Sequence, residues 1–182
     1  MSATPEFSRP VRVDMLGTAP HAMAVDAGEE ERAALARRFG LQGIERLSAQ
    51  AELSRHGEIV RAVGSLSAQV TQSCIATGAA VPAVVDEPFR IEFRPQPKAV
   101  GSADDEIELS EGELDVVFYQ GAGVDLGEAV AESLSLSLDP YPRSPDADQA
   151  LAEAGVQREG EEERLGPLAG LKDLLSGAKA KK

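Results

Sequence analysis

The sequence predicts an α+β fold: an antiparallel, partly closed β-sheet with two flanking helices and a mobile acidic C-terminal tail. Three observations carry this reading. Apolar and polar residues alternate across residues 47–70 and again across 89–93, the period of half-buried strands. Two stretches near 27–39 and 126–138 have helical spacing instead, each with start and stop signals. Charge is also unevenly spread. Residues 1–100 hold 12 acidic and 11 basic side chains, residues 101–142 hold 11 acidic and none basic, and residues 143–165 hold seven acidic against three arginines. Residues 166–182 reverse sign, with four lysines against Asp173.

The first element is an edge-type strand over 7–16, FSRPVRVDML, with Pro10 tolerated near its start. DAGEEERAALARRFG then gives a helix from Ala27 to Phe39. Asp26 is its expected N-cap with Glu29 at the capping-box spacing, three glutamates meet the positive end of the dipole, and Gly40 ends it. Leu35 and Phe39 share one face of this helix. Leu47, Ala49, Ala51 and Leu53 alternate, as do Val60, Ala62, Gly64, Leu66, Ala68 and Val70, with a turn at 55–58 between two hairpin strands. PFRIEFRP continues the pattern, with Phe89, Ile91 and Phe93 inward and Arg90, Glu92 and Arg94 outward. A polar connection over 99–112 leads to a strand at 113–119, ELDVVFY, and a QGAG turn. In the next segment Asp125 and Glu128 have capping-box spacing, and Leu126, Val130, Leu134 and Leu138 recur every four residues until Pro140 stops the helix. Beyond Pro142 no pattern is sustained, apart from a short amphipathic stretch near 167–175.

At 182 residues the chain is long enough for one domain with a real core, placed at 1–142, followed by a tail at 143–182. With five Phe, two Tyr and no Trp, that core must rest on Val, Leu, Ile and Ala. No apolar run approaches the roughly 18 residues that span a bilayer, and the N-terminus lacks a basic segment followed by an apolar one, so no signal peptide is expected. One cysteine gives no disulfide framework. The expected location is the cytoplasm, with no membrane contact.

Chemistry is hard to find. Cys74 would need a base beside it to act as a nucleophile, and the two histidines, His21 in an N-terminal loop and His56 in a tight turn, flank no nucleophile motif. A zinc site would need a second ligand pair, yet Thr77 stands where a Cys-x-x-Cys partner belongs. Cys74 therefore reads as a small buried residue near a strand end. Glu128 and Glu132, one helical turn apart, share a face; such a pair can divide acid and base roles or hold a hard cation, but more often it is a solvated surface. Phosphate-binding and dinucleotide motifs are absent, and Asp125 would repel a phosphate at the QGAGVDLG turn. No cofactor, metal, catalytic residue or small-molecule substrate is expected. Arg90, Arg94 and Lys98 are the candidate RNA contacts, with the two arginines about 7 Å apart on one strand face and Glu92 between them. The acidic C-terminal third suits a basic protein partner as well as plain solubility.

Two segments resemble a known family. GSLSAQVTQSCIATG (64–78) and GVDLGEAVAESLSLSLDPYP (123–142) are similar to the hallmark segments of the YceD family, the large ribosomal RNA subunit accumulation proteins. The matching positions are Gly64, Leu66, Gln72, Cys74 and Thr77, then Asp125, Leu126, Glu128, Glu132, Pro140, Tyr141 and Pro142. ERAALARRFGL (31–41) and PLAGLKDLL (167–175) fit the same order. The resemblance implies a non-catalytic role in the synthesis, processing or stability of 23S ribosomal RNA, through ribosomal RNA or a basic ribosomal protein or assembly factor. Some relatives carry cysteine pairs at the position of Cys74 and near the C-terminal end, and the single cysteine here implies that any metal those pairs hold is missing. After Thr77 the family usually continues Leu-Glu-Pro-Val, whereas this chain has GAAVPAV.

Two readings from other classes stand beside this one. The Leu126, Val130, Leu134 and Leu138 stripe suits a structural adaptor that oligomerises, and Glu128 with Glu132 suits a carboxylate-based hydrolase. A sedimentation measurement would test the first; a buried, convergent carboxylate pair in a pocket would raise the second, and an exposed pair would end it.

Overall fold

A computed structural model describes residues 5–97 and 115–156. The elements, in chain order, are β1 (Pro10–Arg12), a 3-10 turn (Val13–Met15), β2 (His21–Asp26), α1 (Glu29–Phe39), β3 (Gly43–His56), β4 (Ile59–Ser73), β5 (Ala80–Pro95), β6 (Asp115–Tyr119), β7 (Gly123–Asp125), α2 (Leu126–Ser137) and α3 (Ala147–Glu153). The mixture is α+β. The chain divides into two compact units, Met1–Arg143 and Ser144–Lys182.

In the first unit β2-β3-β4-β5-β6 form one sheet in that order, and β1 pairs with β7 in a second, two-stranded sheet. The period-two pattern is realised along the whole β3–β4 hairpin. Leu47, Ala49, Ala51 and Leu53 on β3, with Val60, Ala62, Leu66, Ala68 and Val70 on β4, are all buried. The hairpin pairs His56 with Ile59, and Gly57 takes the left-handed φ of 66° that a two-residue loop needs at its first position. Gly64 lies midway along β4, where a side chain could not fit: a Cβ there would overlap the Gln50 carbonyl oxygen. The inner face of the sheet takes Phe89, Ile91 and Phe93 from β5, and the buried side of α2 joins the same core through Leu126, Ala129, Val130 and Leu134.

Several expectations are corrected. The sheet is not wholly antiparallel, because β6 runs parallel to β5, with Phe93 beside Val117. The connection from 96 to 114 is long enough for the crossover that a parallel pair requires. The order of strands is linear, and no ladder joins β2 to β6 among the described residues. The strand expected over 7–16 is reduced to Pro10–Arg12, and His21, expected in a loop, opens β2. α1 starts two residues later than expected, with Gly28 rather than Asp26 as N-cap; Glu31, not Glu29, accepts the Gly28 N–H at 2.7 Å. Only that half of a capping box forms, since glycine has no side chain to return. β5 begins at Ala80, eight residues before the PFRIEFRP segment.

The second unit is described over 144–156 alone. Its one element there, α3, falls in the stretch read as patternless; alanines favour it, and Gly155 closes it with a φ of 79°. The amphipathic stretch and the basic tip lie outside the described residues.

Candidate functional site

The two hallmark segments, about 50 residues apart in sequence, meet in space. Gln72, buried at the end of β4, donates from Nε2 to the Asp139 carbonyl at 2.8 Å, and the Ile75 N–H donates to the Pro142 carbonyl at 2.9 Å. Cys74 sits buried between these two links, and its own backbone closes the following turn with Ala79 and Gly78. Gly78 completes the turn with a φ of 72°, and Thr77 Oγ1 accepts the Ala79 N–H. Pro140 is exposed, Tyr141 is 71% exposed and Ile75 59%, while Pro142 is buried. Leu66 belongs to the core.

The start of α2 is bound to the N-terminal segment. Asp125 caps the helix through the Glu128 N–H at 3.2 Å, and it also accepts from Ser8 Oγ at 2.5 Å and the Arg9 N–H at 2.7 Å. Gly127 lets that segment cross the first turn, because a Cβ would overlap the Phe7 carbonyl oxygen. Arg9 stacks over the Phe7 ring and pairs with both oxygens of Glu31 on α1, at 2.7 and 2.8 Å. The Arg9 hydrogen bond holds the Glu31 carboxyl below the usual carboxylate range.

The carboxylates Glu128 and Glu132, one helical turn apart, differ in their partners. Glu128 gives the expected capping box only its backbone N–H; its two side-chain oxygens take Arg38 of α1 at 2.7 and 3.0 Å, and Arg38 also binds Glu6. Glu132 is exposed, and desolvation, with Glu128 adding to it, raises its pKa. Leu126, Val130 and Leu134 are fully covered inside the first unit, so the stripe read as an oligomerising face is core. Among the described residues no three of His, Cys, Asp and Glu converge as a metal site would need.

The candidate RNA face is altered most. Glu92 was expected outward, and it does lie on the outer side of the sheet, yet its side chain is only 3% exposed. Arg61 on β4 and Arg94 close over it, at 3.2 and 2.7 Å. Burial raises the Glu92 pKa, but Arg94 and Arg61 together outweigh it and the carboxyl remains below its usual range. Arg90 stays exposed, and Lys98 lies outside the described residues. Arg90 lines a groove of about 390 Å³ between β5 and α2, with Glu87, Asp115, Ser133, Leu136 and Ser137 around it and Leu66 and Phe89 as its floor.

Sequence reasoning passed over Arg9, Arg61, Gly127 and Leu136, and read Glu31 and Arg38 only as end charges of the first helix. Gly127 carried one signal, a glycine inside a helix with good formers on both sides. The ion-pair partners carried none, since each lies on a distant element.

A family model for the large ribosomal RNA subunit accumulation protein YceD matches residues 62–175, more than half of the chain. The match takes in both segments that converge around Gln72, Cys74 and Pro142. No curated protein and no solved structure matches. Among the described residues no helix is long and apolar enough to cross a membrane.

Proposed function

Because the chain belongs to the YceD family, we propose that it is a cytoplasmic, non-catalytic ribosome biogenesis factor that supports the synthesis, processing or stability of 23S ribosomal RNA. The observation that carries this reading is the family match across both hallmark segments. It acts through a basic ribosomal protein or assembly factor and not through direct contact with RNA. The charge arrangement supports that choice: Glu92 draws Arg61 and Arg94 onto itself, which removes two of the cations a phosphate backbone would need. Arg90 is left beside Glu87 and Asp115. Non-catalytic action is supported by the engagement of Glu128 with Arg38, which leaves Glu132 without a second carboxylate to share a proton.

The test is depletion of the protein followed by comparison of large- and small-subunit particles and of 23S ribosomal RNA. Loss of large-subunit RNA is expected, and unchanged levels would sink the reading. Titration of the purified chain with 23S fragments then separates the routes. Little binding at low salt is expected; tight binding that Arg90→Glu/Arg94→Glu abolishes would put RNA in place of the protein partner.

A further inference from the structure

α2 buries its large apolar residues with one exception. Leu126, Val130 and Leu134 are each at most 1% exposed, whereas Leu136 is 79% exposed. A solitary exposed leucine is ordinary. This one stands at the wall of the groove between α2 and β5, whose floor is formed by Phe89 and Leu66. Glu87 and Asp115 flank the groove and Glu132 lies one turn before Leu136 on the helix, while Arg90 is the one cation among the described residues that line it. A phosphate backbone would meet net negative charge here. A side chain that is apolar at its centre and basic at its edges would find an apolar floor and two carboxylates, with Glu132 a helical turn beyond Leu136's place in the wall. Ionised Glu132 is disfavoured by desolvation first and by Glu128 second, with Arg38 only partly opposing, so an incoming cation would favour its charged form.

We propose that this groove docks a basic amphipathic segment of a protein partner, with an apolar side chain against Leu136 and Phe89 and lysines or arginines against Glu87, Asp115 and Glu132. The inference rests on the reading of the protein as a ribosome-assembly factor that works through a protein contact, and it supplies the surface and the chemistry of that contact.

The probe is a Lys/Arg-rich amphipathic peptide with a central leucine, fluorescently labelled and titrated with the full chain at low and high salt. Saturable binding that weakens with salt is expected. Leu136→Ser and Glu87→Lys/Asp115→Lys should each weaken it roughly tenfold. Glu52→Lys/Glu58→Lys makes the same change in net charge outside the groove and should stay within about twofold. Circular dichroism of Leu136→Ser should match the parent chain, since the leucine is outside the core. The proposal fails if the peptide does not bind, if the outside reversal weakens binding as much as the groove reversal, or if a 23S fragment displaces the peptide from the groove. Expression of the variants in depleted cells separates this failure from that of the broader reading. Full restoration of 23S ribosomal RNA by Leu136→Ser would overturn the groove and leave the ribosomal role intact. If depletion itself leaves 23S unchanged, the ribosomal role falls and the docking proposal falls with it.

Discussion

At its N-terminal end α2 is tied to two other segments: Asp125 holds Ser8 and Arg9, and Glu128 holds Arg38 of α1. At its C-terminal end, among the described residues, the side chains of Ser133 and Ser137 bond only to carbonyls of their own helix, and Leu136 faces solvent beside a groove. The first end has its hydrogen bonds and charges matched, so it fixes the fold. The second has an exposed apolar residue and, at the groove, Glu87 and Asp115 with only Arg90 of opposite sign among the described lining residues, so it is suited to something outside the chain. Most of the second hallmark segment, from Asp125 and Glu128 to the Asp139 and Pro142 carbonyls that hold Gln72 and Ile75, therefore serves architecture, which is why a motif residue such as Glu128 is a poor guide to the working surface.

The sharpest way to break the contrast is Gly127→Val. The side chain would drive into the crossing segment at Phe7 and Arg9, whose atoms are backbone and cannot swing aside. A loss of about 3 kcal/mol is expected in urea unfolding, near the upper part of the range for overpacked sites. A cost below about 1 kcal/mol would mean that the N-terminal segment is not docked there.

Asp125→Ala comes next. It removes a helix cap together with acceptors for Ser8 Oγ and the Arg9 N–H, and a loss of about 2 kcal/mol is expected. The same measurement on Asp125→Asn should show less than this, because the amide oxygen still accepts. Equal losses would assign the effect to charge instead of geometry.

Much of this was legible beforehand and some of it was not, for identifiable reasons. The β3–β4 hairpin was readable because one face of each strand is buried and water fixes the period. The α2 cap was readable because Asp125 and the Glu128 N–H it accepts are close in sequence, whereas its bonds to Ser8 and Arg9 were not. The first half of β5 was hidden by Pro82 and Pro88, which break the alternation, although pairing with β4 runs unbroken from Ala80 to Phe93. The direction of β6 has no counterpart in periodicity at all. At the site, Glu92 was legible as the outward member of an alternating strand, but the lid over it comes from Arg61, some 30 residues away. Convergence of Gln72 with Asp139 could be inferred only from the two motifs occurring together, never from either alone.

The ends should also differ in their response to acid. Arg9 depresses the Glu31 pKa at the first end. Its contribution is then fully present above the ordinary carboxylate range near 4.3 and is lost as pH falls through the lower, folded value. Glu31→Gln should cost about 1 kcal/mol at neutral pH, as expected of a partly exposed ion pair with good geometry. The gap between the parent and variant chains should close as pH drops below about 4. A gap that stayed constant with pH would mean that the loss does not come from the carboxylate's bonds to Arg9 and Gly28.

Glu132 should show the smallest effect and the opposite sign. Its folded pKa is raised, by desolvation first and by Glu128 second, with Arg38 opposing. For a carboxyl, a raised folded pKa means that the ionised form costs stability at pH values above it and that protonation removes the cost. Glu132→Gln should therefore stabilise the chain at neutral pH by a few tenths of a kcal/mol, kept small by solvent around an exposed group, and should make no difference near pH 3. Paired denaturation curves at the two pH values measure this directly. The basic peptide supplies the decisive condition, because it offers Glu132 a cation closer than Arg38, which only partly offsets the cost of ionisation. With peptide bound, the parent chain should gain more stability than Glu132→Gln and the order of the two should reverse. A variant that remains the more stable one under saturating peptide would place the bound cations elsewhere, and the C-terminal end of α2 would then be no more than an exposed leucine beside acids.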